Sequence, residues 1–197
     1  MSSKSPETRT RILESALTLL EAGAASGVRM SDIAKATGIS RQALYLHFPN
    51  RADLLVATTR YLDDVKDVDV RLAASRSSGS GVERLSAFVT AWGNYIPEIY
   101  GVAKALMAML DTDAAAKSAW NNRMQAMREG CEAAVAALAE DGVLLPQYSV
   151  EQGTDLLWVL LSVRNWEQMR FECGWSQAQY ISMVGAVAHR MLVSTEV

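Results

Sequence analysis

A chain of 197 residues, half of them hydrophobic, can bury one core or carry a small head on a larger body. Four prolines and twelve glycines exclude a collagen-like or disordered composition, no run of about eighteen apolar residues offers a membrane span, and the opening MSSKSPETRTR lacks the apolar stretch of a signal peptide. The net charge of −3 conceals a split: residues 1–60 hold eight Lys/Arg against five Asp/Glu, and residues 61–197 hold eleven against seventeen, so attraction to a polyanion is confined to the first part.

Helical periodicity dominates and strand signals are scarce, so an all-α fold is predicted. The first helix covers about 8–22, with Ile12, Leu13, Ala16, Leu19 and Leu20 on its apolar face, and EAGAASG closes it. Two short helices follow over about 30–37 and 41–47, separated by GIS, and FPN breaks the chain after them. Asn50 caps a fourth helix with Asp53 as its reciprocal partner, and this helix is predicted to reach about Ala74. Tyr61, Val65, Val68 and Leu72 form its inward stripe. Arg60–Asp64 and Asp67–Arg71 are four-apart pairs, so the four aspartates of RYLDDVKDVDVR read as a solvated face rather than a metal site.

SRSSGSG, 75–81, is the clearest linker. Ser80 and Glu83 form a capping box that starts a helix at Val82, which Pro97 kinks or ends. Helices over about 98–110 and 114–140 follow, interrupted by DGVLLPQYS. One continuous helix is predicted over about 150–172 through LLWVLLSV, closed by CGWS. Ser176 and Gln179 form a further box, flanked by Trp175 and Tyr180 as a hydrophobic staple, and open a last helix that runs to about Val193.

The segment MSDIAKATGISRQALYLHF has the spacing of a helix-turn-helix. Small Ala34 permits close approach, Gly38 suits a left-handed turn, and Ile33, Ile39, Leu44 and Phe48 supply the shared core. That leaves Arg41, Gln42 and Ala43 on the exposed first turn of the second helix, where such motifs meet base edges in the major groove. Arg can donate twice to guanine, Gln can pair with adenine, and a methyl can touch thymine. Tyr45, His47 and Arg51 lie further along and suit backbone phosphates. The plainer alternative is that Tyr45 and His47 are ordinary half-buried surface residues.

RILESALTLLEAGAASGVRMSDIAKATGISRQALYLHFPNRADLL, above all DIAKATGISRQALYLHFPNRADLL, resembles the N-terminal DNA-binding region of the TetR family of transcriptional regulators, over about residues 9–55. The resemblance implies a three-helix DNA-binding head over 1–50 and a helical effector-binding and dimerisation body over 51–197. It also implies a homodimer that usually represses, and that leaves double-stranded operator DNA when a small molecule binds. Carried over by position, Arg41, Gln42 and Ala43 fall on base-reading sites, and Tyr45, His47 and Arg51 on phosphate contacts. The chain departs from the family's TxxxIA pattern by placing Arg29 where a capping Thr is common, in VRMSDIA. Asp32 therefore loses its hydroxyl partner, and Arg29 is either a phosphate contact or an exposed charge.

The body holds all five tryptophans and seven of the nine methionines. Trp92, Tyr95, Met107, Trp120, Met124, Met127, Trp158, Arg164 and Trp166 are candidates for an apolar effector pocket, although large side chains also fill ordinary cores. LLWVLLSV is apolar on more than one side, and the last helix carries a second stripe. With the resemblance, this makes Leu156, Leu160, Val163, Tyr180, Val184, Val187 and Met191 candidates for a dimer face. No histidine cluster, HExxH or phosphate loop appears, so no metal or cofactor is expected. Cys131 and Cys173 form no CxxC pair and read as buried or bystander thiols in a reduced, cytoplasmic protein. The rival reading is a small helical enzyme or lipid carrier using the Trp/Met-rich body. It leaves the basic head unexplained.

Overall fold

The computed structural model describes residues 5–23 and 28–194. The end of EAGAASG, 24–27, lies outside the described residues. The chain forms ten α-helices among them: α1 Pro6–Glu21, α2 Met30–Thr37, α3 Arg41–His47, α4 Arg51–Val65, α5 Val68–Arg76, α6 Gly81–Met107, α7 Ala114–Glu140, α8 Val150–Leu160, α9 Val163–Glu167 and α10 Gln177–Leu192. A π-helical turn, Gln168–Glu172, continues α9, and an isolated antiparallel bridge joins Leu144 to Val193. The all-α expectation holds. The chain divides into two compact units, one of Met1–Lys66 with Ile99–Met124, the other of Asp67–Glu98 with Gln125–Val197.

In the first unit, α1 to α3 do not have a core of their own. Ile12, Ala16, Ile33, Leu44 and Phe48 are buried in one cluster with Leu54, Leu55 and Leu62 of α4, Val102 and Leu106 of α6, and Ala116 and Ala119 of α7. Helix starts here follow local chemistry. Ser5 Oγ accepts from the Thr8 N–H, with Pro6 opening the first turn. Asn50 Oδ1 accepts from the Asp53 N–H at 2.9 Å. At Arg29 no side chain caps α2, as the missing hydroxyl implies.

Three boundaries differ from the sequence expectation. The predicted fourth helix is two, because Asp67 adopts a left-handed backbone at φ 52° and separates α4 from α5. With that break the stripe is lost: Leu62 is buried and Val65 is exposed. Arg71 bridges Glu98 at 2.8 Å, and Arg60 donates to Asn122, instead of the four-apart partners expected for them. At the start of α6 the Ser80 hydroxyl accepts from the Glu83 N–H, but the Glu83 carboxylate reaches the Gly79 N–H rather than closing the box.

Pro97 lies inside α6, which neither ends nor restarts there. Proline has no N–H for the carbonyl four residues back, at Gly93. The Gln177 side chain supplies the missing donor, Nε2 to Gly93 O at 2.7 Å, and its Oε1 accepts from Trp166 Nε1 at 3.0 Å. The helix predicted over 150–172 breaks at Leu161 and Ser162. Ser162 caps α9 by accepting from the Asn165 N–H, and the Leu161 carbonyl accepts from Trp92 Nε1 at 2.8 Å. Both boxes that open α8 and α10, Ser149–Gln152 and Ser176–Gln179, are closed in both directions.

Candidate nucleic-acid interface

Gly38 ends α2 at φ 72°, in the left-handed region that glycine enters without steric cost. Its N–H bonds Lys35 O and the next N–H bonds Ala34 O, closing a Schellman-type turn that redirects the chain. Ser40 then caps α3 by accepting from the Ala43 N–H at 3.1 Å. Leu44 is fully buried, which fixes the rotation of α3 and turns its opposite side outward. Arg41 and Gln42 are exposed and Ala43 is half-buried. Tyr45 is 40% exposed, with the Arg41 guanidinium 5.7 Å from its ring centre. Leu46, which the sequence did not single out, is 57% exposed beside them. His47 is half-buried at the end of α3, and Arg29 is exposed at the start of α2.

Two arginines of α1 orient this surface. Arg11 Nη2 donates to Thr37 O at 2.6 Å, and Arg9 Nη1 donates to His47 O at 3.2 Å while its guanidinium lies 4.2 Å from the centre of the Phe48 ring. Thr37 and His47 are the last residues of α2 and α3, so each cation sits on a helix C-terminus, where the macrodipole favours positive charge. In the sequence these arginines register only as net charge. Their partners lie 26 and 38 residues away, beyond any local spacing rule.

Arg51, expected among the phosphate contacts, is held by groups of the protein itself. It is half-buried, its Nε donates to Val28 O at 2.5 Å, and Nη1 donates to both oxygens of Asp113 at 2.6 Å. Burial raises the Asp113 carboxyl, but the Arg51 guanidinium and the backbone N–H groups of Ala116 and Ala115 outweigh it and hold the carboxyl below its ordinary value.

The pocket candidates divide between the units. Met107, Trp120 and Met124 are half-buried in the first. In the second, Tyr95, Met127 and Trp166 are buried, Trp92 and Trp158 are half-buried, and Arg164 is exposed rather than turned inward. The Trp92 and Tyr95 rings lie 6.0 Å apart. A groove of about 300 Å³ runs along α6 and α10, lined in part by Leu85, Val89, Ile181 and His189, and none of the pocket candidates borders it. Cys131 is buried, burial pushes its thiol pKa up, and Cys173 is exposed.

Of the proposed dimer face, Val163, Tyr180 and Val184 are buried within this single chain and present no surface to a partner. The apolar pattern that suggested them belongs to the second unit's own core. Leu156, Leu160 and Met191 are half-buried, Val187 is 43% exposed, and Val159 and Met183 add exposed apolar surface on the same two helices, α8 and α10. Among the described residues no helix is long and apolar enough to cross a membrane, and no His/Cys/Asp/Glu group could hold a metal ion.

Residues 12–58 match the family model described as bacterial regulatory proteins, tetR family. The HTH-type transcriptional regulator CymR of Pseudomonas putida is 25% identical over 165 residues, covering 79% of this chain and 75% of the relative. The nucleoid occlusion factor SlmA of Marinomonas sp. is 25% identical over 108 residues, covering 55% of this chain, which spans about half of SlmA's length (54%). The fold is similar to the crystal structure of a putative TetR-family transcriptional regulator from Rhodococcus sp., with a TM-score of 0.75 at 20% identity, covering 96% of this chain and all of that one.

Proposed function

The chain belongs to the TetR family of bacterial regulatory proteins, and from that premise we propose that it is a homodimeric, sequence-specific DNA-binding repressor released from a near-palindromic operator by a small apolar or aromatic molecule. The observation that carries this reading is the first turn of α3. Arg41 and Gln42 stand exposed there, opposite buried Leu44, with the turn and cap that orient them built from Gly38 and Ser40. Arg41 bonds guanine O6 and N7, Gln42 bonds adenine N6 and N7, and Ala43 meets a thymine methyl. Leu46 adds an apolar contact at the same surface. Tyr45, His47 and Arg29 hold phosphates, which set register without reading sequence.

The dimer uses the exposed apolar residues of α8 and α10, with Val159, Met183 and Val187 at its centre. Two α3 helices then enter successive major grooves, roughly 34–36 Å apart. The effector binds among the aromatic side chains of the body, with Trp92, Tyr95, Trp158 and Trp166 as the lining this reading favours. It releases DNA by binding better to the form with unsuitable head spacing. Selection of bound duplexes from random-sequence DNA tests the reading. The expected result is a near-palindrome whose half-sites lie one helical turn apart. Recovery of no common sequence would overturn it.

A further inference from the structure

The basis is a pair of ionic contacts that join α4 to α7 at two levels. At the start of α4, Arg51 holds Asp113 at 2.6 Å and the carbonyl of Val28 at 2.5 Å. Asp113 in turn caps α7, accepting from the N–H groups of Ala115 and Ala116 at 3.0 and 3.1 Å. Near the end of α4, Asp63 pairs with Arg123 of α7, and Arg60 Nε donates to Asn122 Oδ1 at 3.3 Å. The spacings agree: twelve residues along α4 span about 18 Å and ten along α7 about 15 Å, so the two helices run in the same direction. Between the pairs, Ala116 and Ala119 are fully buried. The upper pair is shielded, with both side chains only 22% and 21% exposed, so water screens it less than an open surface pair.

We infer that Arg51 is a positioning residue for DNA binding rather than a phosphate ligand, and that Asp113 shares this role by tying the lead-in to α2 and the start of α4 to the start of α7. The inference rests on the DNA-binding reading above. Its sign is unusual. Near a polyanion a carboxylate is repelled, so electrostatics alone predicts that removing Asp113 strengthens binding. Positioning predicts that it weakens binding.

The experiment uses the full chain and a duplex recovered by selection from random-sequence DNA. Asp113→Asn keeps a good cap for α7 while losing the ion pair. Arg51→Gln removes the guanidinium. Each is expected to lower affinity about tenfold, and the double substitution to lower it little further, because the two residues act through one contact. The slope of log affinity against log salt stays unchanged in all three. Affinities are measured well below each variant's melting temperature, with the active fraction fixed by stoichiometric titration, so lost stability alone does not register. The exchanged pair Arg51→Asp with Asp113→Arg is expected to recover affinity above either reversal alone. Unchanged or tighter binding by Asp113→Asn would overturn the inference. So would a slope reduced by about 1 in Arg51→Gln, which marks a phosphate contact. If the unaltered chain retains no duplex, the regulator reading itself fails and this inference falls with it.

Discussion

The head, α1 to α3, and the stretch from α8 to α10 are built from the same ingredients: serine caps, apolar stripes and aromatic anchors. They differ in what decides where a helix stops. In the head the boundaries are set within a few residues, by Ser40 bonding Ala43 and by Gly38 at φ 72°. In the C-terminal stretch the break at Leu161 is secured by Trp92, 69 residues away in sequence. Periodicity alone therefore reads the first region correctly and merges α8, α9 and the π-helical turn of the second into one helix.

If the regions differ in this way, damage to each should have separable consequences. Leu44→Ala and Leu157→Ala both empty fully buried positions and are expected to cost about 2–5 kcal/mol each, measured by denaturant unfolding. Only Leu44→Ala should also abolish DNA binding at temperatures where the rest of the chain stays folded. Equal loss of binding from both would erase the distinction. Gln177→Leu comes next, because it leaves the Gly93 carbonyl and the Trp166 indole N–H without their partner. A loss of about 2–3 kcal/mol is expected. No change in stability would mean that the bond across Pro97 does not support α6.

The head's own break point should be cheaper to disturb. Around Gly38 a Cβ would meet nothing within 4 Å, so Gly38→Ala carries only the left-handed backbone cost, about 1–2 kcal/mol. A much larger loss would show packing rather than conformation at the turn. The smallest effect is the acid response of the Asp113 pair. A carboxyl held below its ordinary value of 3.8 stabilises the fold above that pH, and the contribution is lost as pH falls through the lowered value. The stability gap between the unaltered chain and Asp113→Asn should be constant near neutrality and close in acid. A gap independent of pH would remove the ion pair from the account.

Much of the candidate interface was legible because its geometry depends on short-range chemistry. The bounds of α2 and α3, the turn at Gly38 and the exposed pair Arg41 and Gln42 all follow from spacing within about 20 residues. The ion pair of Arg51 was not legible. The Arg51 side chain, with the charge and reach of a phosphate contact, is claimed by Asp113, 62 residues on. The orienting roles of Arg9 and Arg11 were hidden for the same reason. In the C-terminal region the surplus apolar pattern was real, but burial of Val163, Tyr180 and Val184 in the chain's own core explains part of it. The break between α8 and α9 had one local signal, Ser162 three residues before Asn165, inside a run whose hydrophobicity masked it.

The central claim is that the first turn of α3 reads base edges. Its most direct measurement is the affinity of Arg41→Ala and Gln42→Ala for the selected duplex and for every single-base variant of one half-site. The account predicts a loss of about 1–3 kcal/mol on the preferred sequence and a flattened preference at one base pair for each substitution, with preferences elsewhere unchanged. Equal losses on every variant, with all base preferences retained, would contradict it and assign both side chains to the phosphate backbone.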